Sequence, residues 1–353
     1  MGLFDRIGSL FSKKLPPATQ FLAEYKIKRE LTGGTMSKIL LAKHIKTGHL
    51  RAIKKVTPKT KESLDNLKRE LSILLDLDHH HVAHCYAYQQ EGDSWYILME
   101  YAVGTSFRDY LRDKILHVRR RPPFLPYPHF LEIFRQVADG LKYIHMKDIL
   151  HLDIKPENLI FIKPPAVGGT GKKATDTTLA IIERKEQATE VIRPQHLDAK
   201  IIDFGVSVRG SELTEAVGGS IFYVAPEVLA PKEVRAVAMG PHSDVWSLGA
   251  TFLELATGSP PQLPLWFHGK EQNWNFHWVE YQKLPRAERQ QHEAEMLAQR
   301  RTTPPDLSAL RYPDEMKRVF AKCLEPLIPK RYKNSAELLR DLEVIHRRLW
   351  PTG

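Results

Sequence analysis

The sequence predicts an α+β chain in two unequal lobes: a small antiparallel β-sheet with one helix, then a larger and mainly helical lobe. Two observations carry that expectation. Between residues 25 and 101, short alternating apolar runs are broken by glycine turns, the period-two signature of strands. Beyond residue 103 the apolar positions move to helical spacing, as in Phe130, Ile133, Phe134, Val137, Leu141 and Ile144. The expected boundaries are 1–22 for a separate N-terminal segment, 23–102 for the sheet lobe and 103–349 for the helical lobe.

Composition bounds the class. At 353 residues, 42% hydrophobic and 27% charged, the chain has ample material for a core and an ordinary soluble balance. Its two cysteines, Cys85 and Cys323, exclude a disulfide framework and point to a reducing, cytoplasmic setting. No apolar run approaches the ~18 residues of a membrane span, and no signal peptide opens the chain. The formal charge of +10 could serve anionic partners, but its basic clusters are scattered, so a solvated surface is the better reading and nucleic acid is not an expected partner.

Within residues 1–16, Leu3, Phe4, Ile7, Leu10 and Phe11 form one apolar stripe of a short helix, closed by Pro16-Pro17. Such a stripe suits either a membrane interface or a groove on the chain's own body, and self-docking is the expectation here. Gly2 suggests myristoylation, but Arg6 stands where that motif wants Ser or Thr.

Residues 31–42 read as strand, tight turn and strand, with Leu50–Val56 as a third strand after the Lys46-Thr47-Gly48 turn. A glycine turn can bring backbone N–H groups to phosphate oxygens, although taken alone this one reads better as an ordinary hairpin. Lys54 follows in strand context; Lys55 rivals it on register, but alternation sends it to the opposite face. A helix is expected over about residues 62–77, its buried face marked by Leu64, Leu67, Leu71 and Leu74. Glu70 lies on that face, and a buried carboxylate there needs a cation, for which Lys54 is the natural partner. His79, His80 and His81 are adjacent, point in different directions and bring no Cys or carboxylate set with them, so they read as a turn rather than a metal site.

The richest stretch is His151-Leu152-Asp153-Ile154-Lys155-Pro156-Glu157-Asn158. It gathers a carboxylate, an ammonium and a carboxamide within six residues, and its proline forbids a continuous helix. Such a loop can orient a hydroxyl nucleophile, meet the charge of a transferring phosphoryl group and hold a metal ion. Ile201-Ile202-Asp203-Phe204-Gly205 then repeats the form of a strand ending in a carboxylate. Between the two, residues 163–199 form an insertion whose Gly168 to Lys172 run departs from a phosphate-binding loop at Ala166 and Lys173; a surface excursion is expected there.

These stretches, in this order, resemble the eukaryotic-type serine/threonine protein kinases. The resemblance extends to Gly219 through Glu227, to Ser243 through Gly249, and to Arg331, over about 320 residues. It implies a bilobal kinase fold and transfer of the γ-phosphoryl of ATP to Ser or Thr hydroxyls of a protein substrate. Asp153, Lys155, Asn158 and Asp203 would be catalytic, with Asn158 and Asp203 holding Mg²⁺, or Mn²⁺ in its place. Leu31, Thr32, Gly33, Gly34 and Ser37 would cover the phosphates, and Lys54 with Glu70 would fix them. Ile39, Ala52, Met99, Glu100, Ala102 and Ile160 would line the adenine site. Ser220 would brace Asp153 and Lys155 through its hydroxyl, Glu227 would pair with Arg331, and Asp244 would hold the loop backbone. Leu74, Cys85, His151 and Phe204 would stack between the lobes. Glu157 and Glu254 match positions that in some members favour basic substrates.

Two departures matter. Of the family's glycine pattern only Gly34 is kept, with Thr32 and Ser37 in the outer places, which leaves a catalytically weak scaffold as the alternative. Leu152 replaces the arginine that normally meets an activation-segment phosphate, so activity is expected not to need phosphorylation at Ser207, Ser211 or Thr214. Residues 259–312 are enlarged; Trp266, Phe267, Trp274, Phe276, Trp278 and Tyr281 are expected to form the core of a docking region rather than to stack nucleobases.

Overall fold

A computed structural model of the chain describes residues 18–33, 37–116, 125–162, 198–210, 220–263, 267 and 280–350. The N-terminal stripe, Gly34, the insertion up to residue 197, Ser211, Thr214 and Trp266, Trp274, Phe276 and Trp278 lie outside them.

The first lobe is a five-stranded antiparallel sheet in the order β1-β2-β3-β5-β4, made of β1 (Tyr25–Gly33), β2 (Ser37–His44), β3 (Leu50–Val56), β4 (Cys85–Glu91) and β5 (Ser94–Glu100). Its register sets Ile39 opposite Lys54 and Ala52 opposite Met99. Between β3 and β4 runs α1 (Lys61–Leu74), started by a reciprocal cap in which Thr60 Oγ1 accepts from the Ser63 N–H and Ser63 Oγ accepts from the Thr60 N–H. The helix ends at Leu74, short of residue 77. Asp76 and Leu77 donate to the carbonyls of Ile73 and Leu74 in a tightened last turn, and Leu77 is buried there without being helical.

The second lobe follows β6 (Gly104–Ser106) with α2 (Phe107–Leu116), α3 (Tyr127–Met146), β7 (Ile149–Leu150), β8 (Leu159–Ile162), β9 (Asp198–Ile201), β10 (Val208–Arg209), α4 (Lys232–Ala238), α5 (Pro241–Thr257), α6 (Arg286–Thr302), α7 (Asp314–Cys323) and α8 (Ser335–Leu349). Strands β6, β8 and β9 form a small sheet, and β7 pairs with β10. Gly104 allows β6 its close approach to β8, since a Cβ there would lie 1.8 Å from the Phe161 carbonyl oxygen.

Helix α5 is buried from Ser243 to Ala256, so it is a core rod rather than an amphipathic surface helix. Phe134 of α3 stacks on its Phe252 at 4.3 Å, and Phe320 of α7 lies 5.8 Å from Phe134. All six helix-spaced apolar residues of α3 named above are fully buried. The strand-rich first lobe and helical second lobe are the architecture expected from the alternation change near residue 103.

Candidate functional site

The polar loop hangs between β7 and the Pro156–Asn158 turn and is held from below by α5. Asp244 accepts backbone N–H bonds from His151 at 2.8 Å and Leu152 at 2.7 Å, and its Oδ2 lies 3.0 Å from His145 Nε2. Leu152 has φ +61°, a left-handed conformation that costs a non-glycine residue about 1 kcal/mol or more and persists where surrounding bonds impose it. Burial pushes the Asp244 carboxyl upward, but His145 and His151 outweigh that and leave it below the usual carboxylate range, so it stays charged.

That platform presents Asp153. Its Oδ2 receives Lys155 Nζ at 2.7 Å and Asn158 Nδ2 at 3.0 Å, while Asn158 Nδ2 also reaches the Asp153 carbonyl at 2.9 Å. Its Oδ1 accepts from Ser220 at 3.2 Å, through the backbone N–H and not the hydroxyl expected. With its Nδ2 committed to Asp153, Asn158 would meet a cation through Oδ1.

Across from this loop, Lys54 Nζ donates to Glu70 Oε1 at 2.5 Å and lies 4.0 Å from Asp203 Oδ1. Burial lowers the Lys54 pKa, and the carboxylates of Glu70 and Asp203 reverse the effect, holding it above the ordinary lysine value. Lys55 points to the other face, its Nζ 5.4 Å from the Tyr96 ring. Asp203 has φ +63° and accepts from the Gly205 N–H at 3.2 Å; the preceding Ile202 N–H is tied to the Asn158 carbonyl at 2.9 Å. The Asp203 side chain is about half exposed, at 51%, as a group that must meet a ligand requires. Asn158 and Asp203 thus offer oxygen donors of the hard kind that Mg²⁺ takes, so the residues present fit such an ion.

Ala52 is buried, while Leu31, Ser37, Ile39, Met99, Glu100, Ala102 and Ile160 are half-buried. Thr32 and Gly33 end β1 opposite Ile39 and Lys38. Glu100 places its carboxylate on Lys200 at 3.0 Å and its N–H on the His84 carbonyl. Leu74, Cys85 and Phe204 are buried in one core, and the buried His151 sets its ring 4.8 Å from that of Phe204. Ser207 is buried and its hydroxyl donates to the His151 carbonyl at 3.1 Å, so it is a structural residue and not an open phosphorylation site.

Farther out, Arg331 donates to Glu227 at 2.7 Å inside the core, where Ser243 also donates to Glu227 at 2.8 Å. Phe267 and Tyr281 are fully buried 5.1 Å apart, as core residues rather than stacking platforms. The three histidines separate as expected: His79 faces Asp139, His80 faces Asp198 and His81 faces the Ala199 carbonyl. The fold does bring a carboxylate to them, because ligand atoms of His80, His81 and Asp198 lie within 4.8 Å. Lys200 Nζ on the His80 carbonyl, at 2.6 Å, puts a cation in the same place and speaks against a metal there.

Three residues escaped the sequence reading. His145 reaches Asp244 across 99 positions. Arg300 of α6 is fully buried and gives its guanidinium to the carbonyls of Ile221, Phe222, Val224 and Pro261, tying the enlarged segment to the residues after Ser220. Arg108 of α2 holds both Glu157 and Glu254. Each looks like an ordinary helix residue in the sequence; only the partner, brought from far along the chain, reveals it.

The sequence profile of the protein kinase domain matches residues 25–341. Among curated proteins the chain is similar to the serine/threonine-protein kinase atg1 of Schizosaccharomyces pombe, at 29% identity over 69% of this chain and 29% of that protein. It is also similar to ATG1a of Arabidopsis thaliana (27%; 69% of this chain, 33% of that one) and to calcium-dependent protein kinase 5 of Plasmodium berghei (26%; 69% and 35%). The chain therefore spans about a third of the length of such relatives.

Proposed function

Because this chain belongs to the protein kinase domain family, we propose that it transfers the γ-phosphoryl group of ATP to Ser or Thr hydroxyls of protein substrates. The observation that carries the reading is the double anchorage of Asp153 by Lys155 and Asn158, joined through the Ile202 N–H on the Asn158 carbonyl to Asp203, beside which the Lys54–Glu70 pair lies. Asp153 orients the acceptor hydroxyl and takes its proton as the bond to phosphorus forms. Lys155 offsets charge developing on the transferred group, and Lys54 fixes the phosphates that stay behind. Asn158 and Asp203 would hold Mg²⁺, or Mn²⁺ in its place; such an ion neutralises phosphate charge when bound. Positioning and electrostatics supply the rate, for which the pre-arranged hydrogen bonds are suited.

Asp153→Ala and Lys54→Met should each leave a folded protein whose transfer to a generic basic protein falls by ~10² or more. Wild-type transfer by purified Asp153→Ala would refute the assignment. The assembled Lys54–Glu70 pair favours an enzyme over the scaffold alternative that the altered glycine turn suggests.

The loop carries Leu152 in place of arginine, and that side chain is buried among apolar neighbours. This supports activity without activation-segment phosphorylation. Ser211→Ala with Thr214→Ala should keep most turnover; loss of it would end the idea. Two buried, unbridged cysteines support a reducing, cytoplasmic setting. The apolar stripe of residues 1–16 supports docking on the chain's own body ahead of a membrane surface; deleting it should lower thermal stability, and lost liposome binding with unchanged stability would say otherwise.

A further inference from the structure

Glu254 lies in α5 with no exposed side-chain surface, and a carboxylate so placed requires a cation. Arg108, in the first turn of α2, supplies it with a two-pronged contact: its two terminal nitrogens reach Glu254 Oε1 at 2.7 Å and Oε2 at 3.2 Å. The same guanidinium gives its Nε to Glu157 Oε1 at 2.8 Å and a further N–H to the Tyr223 hydroxyl, which donates in turn to Glu254 Oε2 at 2.7 Å. One arginine of this chain thus engages two carboxylates and a phenol.

The place of this cluster gives it meaning. Glu157 stands four residues after Asp153 on the same loop, with its side chain 45% exposed. Tyr223 stands three residues after Ser220, whose N–H touches Asp153. The cluster is therefore framed by the two segments that flank the carboxylate meant for the acceptor hydroxyl. A substrate whose hydroxyl reaches Asp153 would pass the exposed Glu157, behind which Tyr223 and Glu254 are buried. Two carboxylates there would form a receptor for a substrate arginine or lysine, because guanidinium and carboxylate geometries match.

The geometry points to Arg108 as a specificity-determining residue that fills this acidic receptor from within, so that the protein accepts Ser or Thr substrates without help from a flanking basic residue. The inference rests on the kinase reading above and adds the substrate class. A second guanidinium arriving at the cluster meets acceptors already bonded and a like charge beside them, so it gains no advantage there over an uncharged residue. The residue types that suggest a basic preference, Glu157 and Glu254, are present, and both have an internal partner in Arg108.

The test is a set of peptides carrying one acceptor Ser, with Arg or Ala at each position from five before to four after it. For the wild-type chain, kcat/KM for Arg and Ala peptides should agree within about 3-fold at every position. Arg108→Ala should prefer Arg at one or more positions by at least 10-fold, and adding Glu254→Gln should remove that gain. A 10-fold preference for Arg in the wild type overturns the proposal without any variant, as does an Arg108→Ala chain that folds, transfers phosphate and shows no such gain. Should Arg108→Ala be unstable, Arg peptides must raise its melting temperature more than Ala peptides do; equal shifts count against the proposal. Absence of transfer to every peptide by the wild type would instead fell the kinase reading, and this inference with it.

Discussion

Replacing Asp244 with Asn tests how much the loop platform contributes, because the change keeps shape and removes charge. Asp244 holds two backbone N–H donors and one imidazole within 2.7–3.0 Å, in a fully buried setting. An amide has one oxygen, so it can serve one side of this arrangement and turns an NH₂ toward donors on the other. His151 N–H and His145 both address Oδ2, so two contacts lose their acceptor if the oxygen stays with Leu152. Hydrogen bonds to a charged group contribute about 1.5–3 kcal/mol each, which gives a loss of roughly 3–6 kcal/mol against total stabilities of about 5–15. The strained Leu152 backbone would then relax and carry Asp153 with it, and a displacement of ~1 Å at a catalytic group costs about 10²-fold in rate. Urea unfolding should show a lower midpoint at unchanged slope, and peptide phosphorylation should lose most of its kcat with ATP affinity retained. A destabilisation under about 1 kcal/mol would refute this account of the platform.

Two further outcomes follow from the buried charges. Arg331→Met leaves Glu227 in the core without its main cation, so it should cost about 3–5 kcal/mol, read by denaturant unfolding; a loss near zero would mean that Ser243 and His242, whose Nε2 lies 3.7 Å from Glu227 Oε1, suffice. His151 is held below the usual histidine pKa by burial, against the pull of Asp244, Asp153 and Asp203. The unfolded chain therefore binds a proton near pH 6.5 that the folded chain refuses, so stability is complete above that pH and falls as the pH drops below it. His79, His81 and His346 shift in the same direction, also through burial. Melting temperatures from pH 8 to 5 should decline below about 6.5, and a flat profile would contradict the direction.

Much of the site is legible along the chain because its chemistry is local. Asp153, Lys155 and Asn158 lie within one loop of six residues, so residue type and spacing suffice to propose them. Lys54 and Glu70 are also readable, since strand alternation and a helical stripe each assign a face, and two buried opposite charges need each other. Helix ends were less legible: Leu77 carries the apolar pattern past the last helical turn because burial does not require helix.

Sequence by itself determined the two-lobed alternation of strand and helix, the loop chemistry and the residue types available to it. These depend on periodicity and on contacts a few residues apart. Tertiary structure alone decided who satisfies whom over long separations. It hands Glu254 to Arg108 across 146 positions, the carbonyls after Ser220 to Arg300 across nearly eighty, and His145 to Asp244 across 99. The reason is that a buried charge must be paired, but its partner is whichever group the packed helices bring within about 3 Å, and distance along the chain carries no record of that choice.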